Sequence, residues 1–136
     1  MPSLSPSHLR TVLWIDAITA LAATILILAA PTYWSTLTGL PVWTFYFAGA
    51  IFVPFVGIAF LAVRKCPFAP GTARTIMVMN FAWATISLIA IAVYFSELTP
   101  LGLAVVAGQT LWVVLMGDLQ WLGLRGTKHS APPVAA

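Results

Sequence analysis

Four apolar stretches, each about twenty residues long and each interrupted by no more than a single charge, limit this chain more than any other feature. They run over 12–30, 42–63, 75–95 and 101–122. A helix needs about 20 mostly apolar residues to cross a hydrocarbon core of roughly 30 Å, so each stretch is long enough to span a bilayer. Between them lie Pro31 to Pro41, Arg64 to Arg74 with Pro67, Pro70 and Gly71, and the short turn Ser96 to Pro100. Proline and glycine fall where the helices must end. Composition agrees: 61% of residues are hydrophobic and 7% are charged, against roughly a quarter charged in soluble domains. The sequence therefore predicts an all-α polytopic membrane protein.

The charges orient it. All six basic residues fall on one side: Arg10 before the first span, Arg64, Lys65 and Arg74 between the second and third, Arg125 and Lys128 after the fourth. The positive-inside rule puts both termini and the middle loop in the cytoplasm. Short connections make sequential helices antiparallel neighbours, which predicts an up-down-up-down four-helix bundle, N-in and C-in, in a bacterial inner membrane. Trp14 and Trp121 fall near the inner boundary, and Tyr33, Trp34, Trp43, Tyr46 and Tyr94 near the outer one, as interfacial aromatics do. The first span reads as retained rather than as a cleaved signal peptide. It exceeds the roughly 7–15 apolar residues of such a peptide, contains Asp16, and would place Pro31 after the cleavage point. Residues 1–11 and 125–136 are rich in Ser, Pro, Ala and Gly and are expected to be disordered tails flanking a membrane domain over 12–124.

Inside the spans an ionisable group asks for a partner or a purpose. Asp16 lies four residues into the first span, Asp118 four residues before the end of the fourth, and Asn80 five residues into the third. At 1.5 Å per residue all three sit about 6–8 Å below the inner boundary. Two readings of this level are open. Asp16, Asn80 and Asp118 form a cation or proton site facing the cytoplasm, or they form an interhelical knot with Arg10, Arg74 or Arg125 pairing the acids. Asn80, Ala84, Ser87, Ile91 and Tyr94 share a stripe beside Trp83, and Asp16 continues through Thr19, Ala20, Ala23 and Ile27. The fourth span carries two faces, one with Ala104, Ala107, Leu111, Leu115 and Asp118, the other with Gly102, Gln109, Val113, Met116 and Gln120. Gln109 lies near the middle and seeks a partner helix. Pro54 frees the carbonyl of Ala50 and reads as a kink that neighbouring helices tolerate. Phe52, Phe55 and Phe60 read as lipid-facing, which leaves Trp83 and Trp112 as the deep indoles.

No catalytic constellation is visible, so the chain does not read as an enzyme. His8 and His129 are terminal, which argues against haem and His-based metal centres, and the single thiol, Cys66, cannot form a redox pair. A net charge of +3 gives no basic stripe for nucleic acid. The aspartates do not carry the Gly-x-Gly-Asp string of aspartyl intramembrane proteases, and Asp16 is shallower than the central Glu of small multidrug exporters. Leu9-Arg10, Asp16-Ala17, Gly39-Leu40-Pro41, Asn80 with Trp83, Thr99-Pro100-Leu101-Gly102, Gln109 and Leu122-Gly123-Leu124-Arg125 together make the chain resemble small bacterial four-helix integral membrane proteins. That resemblance implies four spans and brings no activity with it. The leading expectation is a non-catalytic accessory or scaffold subunit of a larger membrane assembly. Two alternatives stand beside it: a dimeric proton- or cation-coupled transporter using Asp16, Asn80 and Asp118, and a binder of a quinone, pigment or lipid using Trp83, Ser87, Gln109 and Trp112. No metal or bound cofactor is expected beyond such a lipophilic ligand. The expected partners are membrane lipids and other membrane subunits or further copies of the chain.

Overall fold

The computed structural model describes residues 6–64 and 70–129. Every regular element among them is an α-helix: α1 (Pro6–Ala29), α2 (Pro31–Thr38), α3 (Val42–Arg64), α4 (Pro70–Val93) and α5 (Pro100–His129). Four of these are long and apolar enough to cross a membrane, the expected number and order. At 1.5 Å per residue, the 23 residues of α3 rise about 35 Å. The outer surface is apolar, with Leu111 71% and Phe95 66% exposed, which suits lipid rather than water.

Two departures from the sequence reading concern the ends of elements. Pro6–Thr11 and Arg125–His129 continue α1 and α5 instead of forming disordered tails. The extension of α1 is held by packing: Leu9 and Leu13 are fully buried, and Leu9 lies against Gly123 of α5 so closely that a Cβ there would press on it. Residues 1–5 and 130–136 of the expected tails, and Cys66 in the middle loop, lie outside the described residues. The segment after the first span is also not an open loop, because Pro31 to Thr38 form α2. Pro31 supplies the fixed φ favoured at a first helical position. Gly39 closes α2 at φ 81°, with its N–H donating to the Ser35 carbonyl.

α2 is stitched to the turn between α4 and α5. The Thr99 amide donates to the Thr38 carbonyl at 3.0 Å, and Thr99 Oγ1 donates to the Leu37 carbonyl at 2.6 Å. Gly102 permits the approach, since a Cβ there would collide with the Thr38 backbone. The Trp34 indole donates to the Leu26 carbonyl at 2.8 Å, which fastens α2 back onto α1.

Among the long helices the closest pairs are α4 with α5 and α1 with α3, and α1 also lies along α5. α3 and α4 touch much less. The bundle is therefore a ring of four with one loose seam. At the end that carries both tails, the seam is filled by a core of Leu9, Leu13, Phe55, Ala59, Val63, Ala73, Ile76 and Leu124. Arg10 Nε donates to the Val63 carbonyl at 3.1 Å and so satisfies one free acceptor at the end of α3. The lipid-facing stripe of α3 is Val53, Pro54, Gly57 and Leu61, all exposed. Phe55 is buried and Phe52 and Phe60 are half-buried, so these rings face the bundle and not the lipid. Pro54 lies on the outer stripe of a helix that continues past it unbroken.

Candidate functional site

One polar layer crosses the bundle. Asp16 on α1, Asn80 on α4 and Gln120 on α5 are 2%, 3% and 0% exposed. Gln120 Nε2 donates to Asp16 Oδ2 at 2.6 Å, and Asn80 Nδ2 donates to the same oxygen at 2.6 Å. Asn80 Nδ2 also donates to Gln120 Oε1 at 3.3 Å, closing a three-residue ring that joins three helices. In an apolar interior the ring is the condition for burying these groups at all, since an unmatched buried donor or acceptor costs about 1–3 kcal/mol.

Asp118 is not part of it. Its side chain is exposed on the outer face of α5 together with Leu111 and Leu115. Asp118 and Gln120 are two positions apart in the chain, about 3 Å along the axis but about 200° around it. The depth that groups Asp118 with Asp16 and Asn80 is thus right for Gln120 as well, and azimuth selects the amide. The signal lay in the second stripe of α5: Gly102, Met116 and Gln120 are buried and Gln109 and Val113 half-buried, so that stripe faces inward. The arginine pairing expected for the acids is absent: neither Asp16 nor Asp118 makes an ion pair among the described residues.

About three turns along the bundle, a second polar group sits between α4 and α5. Gln109 Nε2 donates to Ser87 Oγ at 2.8 Å, and Trp83 Nε1 donates to Gln109 Oε1 at 3.3 Å. Gln109 and Gln120 are eleven residues apart, three helical turns, so they fall on one face. Trp112 Nε1 donates to Thr19 Oγ1 at 3.3 Å, which ties α5 to α1. The structure thus brings Trp83, Ser87 and Gln109 into one cluster, and sets Trp112 apart on the α1 side.

Two chambers follow the loose seam. The smaller, about 90 Å³, lies against the polar ring and is lined by Asp16, Asn80, Phe52, Phe55, Trp83 and Trp112 among others. The larger, about 470 Å³, lies toward α2, between Trp34, Phe45, Ala48, Ala90, Tyr94 and Val106. Ala23, Phe52, Trp83 and Gln109 line both chambers. Phe52 and Trp83 stand edge to face with ring centroids 4.6 Å apart, so this pair divides the two spaces. The larger chamber is a cleft open to the outside and not a closed void, since Trp43, Phe47, Ile89 and Val93 in its wall are exposed.

No group of three or more His, Cys, Asp or Glu side chains is placed to hold a metal ion among the described residues. No family model, curated protein or solved structure matches the chain, so the site's own geometry carries its functional reading.

Proposed function

We propose that this is a bacterial inner-membrane protein, with both termini cytoplasmic, that holds a lipophilic ligand between α3 and α4. The 470 Å³ chamber carries this reading. Its volume falls in the roughly 300–1,000 Å³ of small-molecule sites, and its walls follow their pattern of aromatic and aliphatic side chains with a few placed polar groups. The polar groups are Ser87 and Gln109, held by each other and by Trp83. Sparse contact between α3 and α4 supplies a lateral way in from the bilayer. The orientation rests on Arg10, Arg64, Arg74 and Arg125, all at the end of the bundle opposite α2.

Native mass spectrometry of protein released from lipid nanodiscs, with organic extraction of whatever stays bound, tests the reading. The wild type should carry a lipid, quinone or pigment that Ala48→Phe and Ala90→Trp, which fill the chamber, displace. A wild type that is empty, or variants that retain the same adduct, would refute it.

A second reading, an accessory subunit of a larger assembly or of a homo-oligomer, is favoured by Asp118. A carboxylate on an outer face between Leu115 and Trp121, about 6 Å below the boundary, is better accommodated against a partner helix than against lipid. Purification in mild detergent tests this: a lone monomer with no co-purifying protein counts against it.

A further inference from the structure

We propose that the small chamber beneath the Phe52–Trp83 pair is the head-group site of a cationic amphiphile, a primary alkyl or aralkyl ammonium, with Asp16 as its anionic acceptor. The inference rests on the reading of the larger chamber as a ligand site, and assigns the ligand's chemistry.

The ring leaves its acceptors unevenly used. Both amide donors converge on Asp16 Oδ2, and Oδ1 accepts nothing. Asn80 spends its amide nitrogen on both neighbours, which leaves its own Oδ1 without a donor. No fully enclosed side-chain nitrogen or oxygen lacks a hydrogen bond among the described residues, so both free oxygens retain accessible surface. The two side chains are 2% and 3% exposed, and both line the small chamber. Two acceptors thus face a space of about 90 Å³, whose wall also carries Gln109, with its Nε2 donating to Ser87 Oγ. At roughly 30 Å³ per water in the liquid, that space holds about three waters, or an ammonium group and its first methylenes.

Charge decides among the heads that could donate. The chamber presents a carboxyl group with no basic partner among the described residues: Arg10, the base on the same helix, turns Nε to the Val63 carbonyl at the end of α3. A buried carboxylate without a counter-charge is costly in an apolar medium, and a bound cation removes that cost. Trp83, Trp112, Phe52 and Phe55 complete the wall, and aromatic faces attract a desolvated cation. A fatty acid or phosphate head would set its own anionic oxygens against the unpartnered oxygens of Asp16 and Asn80. An alcohol could donate one hydrogen bond but would leave the charge uncompensated. The apolar body has one direction to go, past Phe52 and Trp83 into the 470 Å³ chamber.

The test uses full-length protein in phosphatidylcholine nanodiscs, whose surface carries no net charge, titrated with dodecylammonium, dodecanol and dodecanoate. Binding is read as a saturable rise in Tm. Dodecylammonium should bind the wild type at least tenfold more tightly than dodecanol, with dodecanoate weakest. Asp16→Asn should bring the amine and the alcohol within twofold of each other. Ala48→Phe should weaken all three. An amine-to-alcohol ratio under tenfold in the wild type overturns the proposal, and so does a ratio that Asp16→Asn preserves. If Asp16→Asn does not fold, the wild-type ratio decides alone. Absence of saturable binding by any of the three instead overturns the reading of the larger chamber itself.

Discussion

Replacing Gln120 by Leu isolates what the polar ring contributes. The two side chains are similar in size, so no cavity is made and the change is electrostatic. Two losses add. The bond from Gln120 Nε2 to Asp16 Oδ2 disappears, an interhelical contact worth about 0.6–1.7 kcal/mol in a membrane. Asp16, 2% exposed, is left with one donor where it had two, and an under-satisfied buried acceptor costs about 1–3 kcal/mol. We expect Gln120→Leu to destabilise the bundle by about 2–4 kcal/mol. Unfolding in mixed micelles, titrated with sodium dodecyl sulfate and followed by tryptophan fluorescence, measures it. Asp118→Asn in the same assay should cost less than about 0.5 kcal/mol, as exposed substitutions do. The triple variant Asp16→Leu, Asn80→Leu, Gln120→Leu removes every partner together and should be more stable than Gln120→Leu alone, because no polar group is then stranded. If Asp118→Asn costs more than Gln120→Leu, the ring has been assigned to the wrong residue of α5.

Three further outcomes follow from particular contacts. Gly102→Ala forces a Cβ into the Thr38 backbone, and overpacking of about 1–3 kcal/mol should outweigh the helix-propensity gain of about 1 kcal/mol. Gly108→Ala, on the same helix with open space around it, should instead raise stability by up to about 1 kcal/mol in the same assay. Gln109→Leu should lower stability by about 0.6–1.7 kcal/mol and shift the Trp83 emission, since the indole loses its acceptor. In intact bacterial cells, a thiol reagent that cannot cross the inner membrane should leave Cys66 unlabelled and label a cysteine placed at Glu97; the reverse pattern refutes the N-in, C-in orientation.

The axial coordinate of this protein was open to reading from the chain alone. Span number, span order and the level of Asp16, Asn80 and Gln109 follow from counting residues, because the bilayer acts as a ruler and a helix rises by a constant amount. The buried stripe of α4, Asn80, Ala84 and Ser87, was equally accessible, since Asn80 and Ser87 are seven residues, two helical turns, apart. Azimuth was not. In water a helix turns its polar side outward, and the contrast marks the core; in lipid both sides are apolar, and the contrast vanishes. Hence Phe52 and Phe55 read as lipid-facing although they line the bundle, and Asp118 read as a partner of Asp16 although it points away. α2 went unnoticed because eight residues between Pro31 and Gly39 carry no apolar run, and their helicity is held by contacts with Leu26 and Thr99.

Sequence by itself determined that the chain forms four helices long and apolar enough to cross a bilayer, and at what level along them each polar group sits, because both depend on sums along one dimension. Only the tertiary structure decided that Gln120 and not Asp118 closes the ring with Asp16, and that α3 and α4 part to leave two chambers. Those outcomes depend on which face each helix turns to its neighbours. Packing in three dimensions sets that choice, and a uniformly apolar surface leaves no record of it in the order of residues.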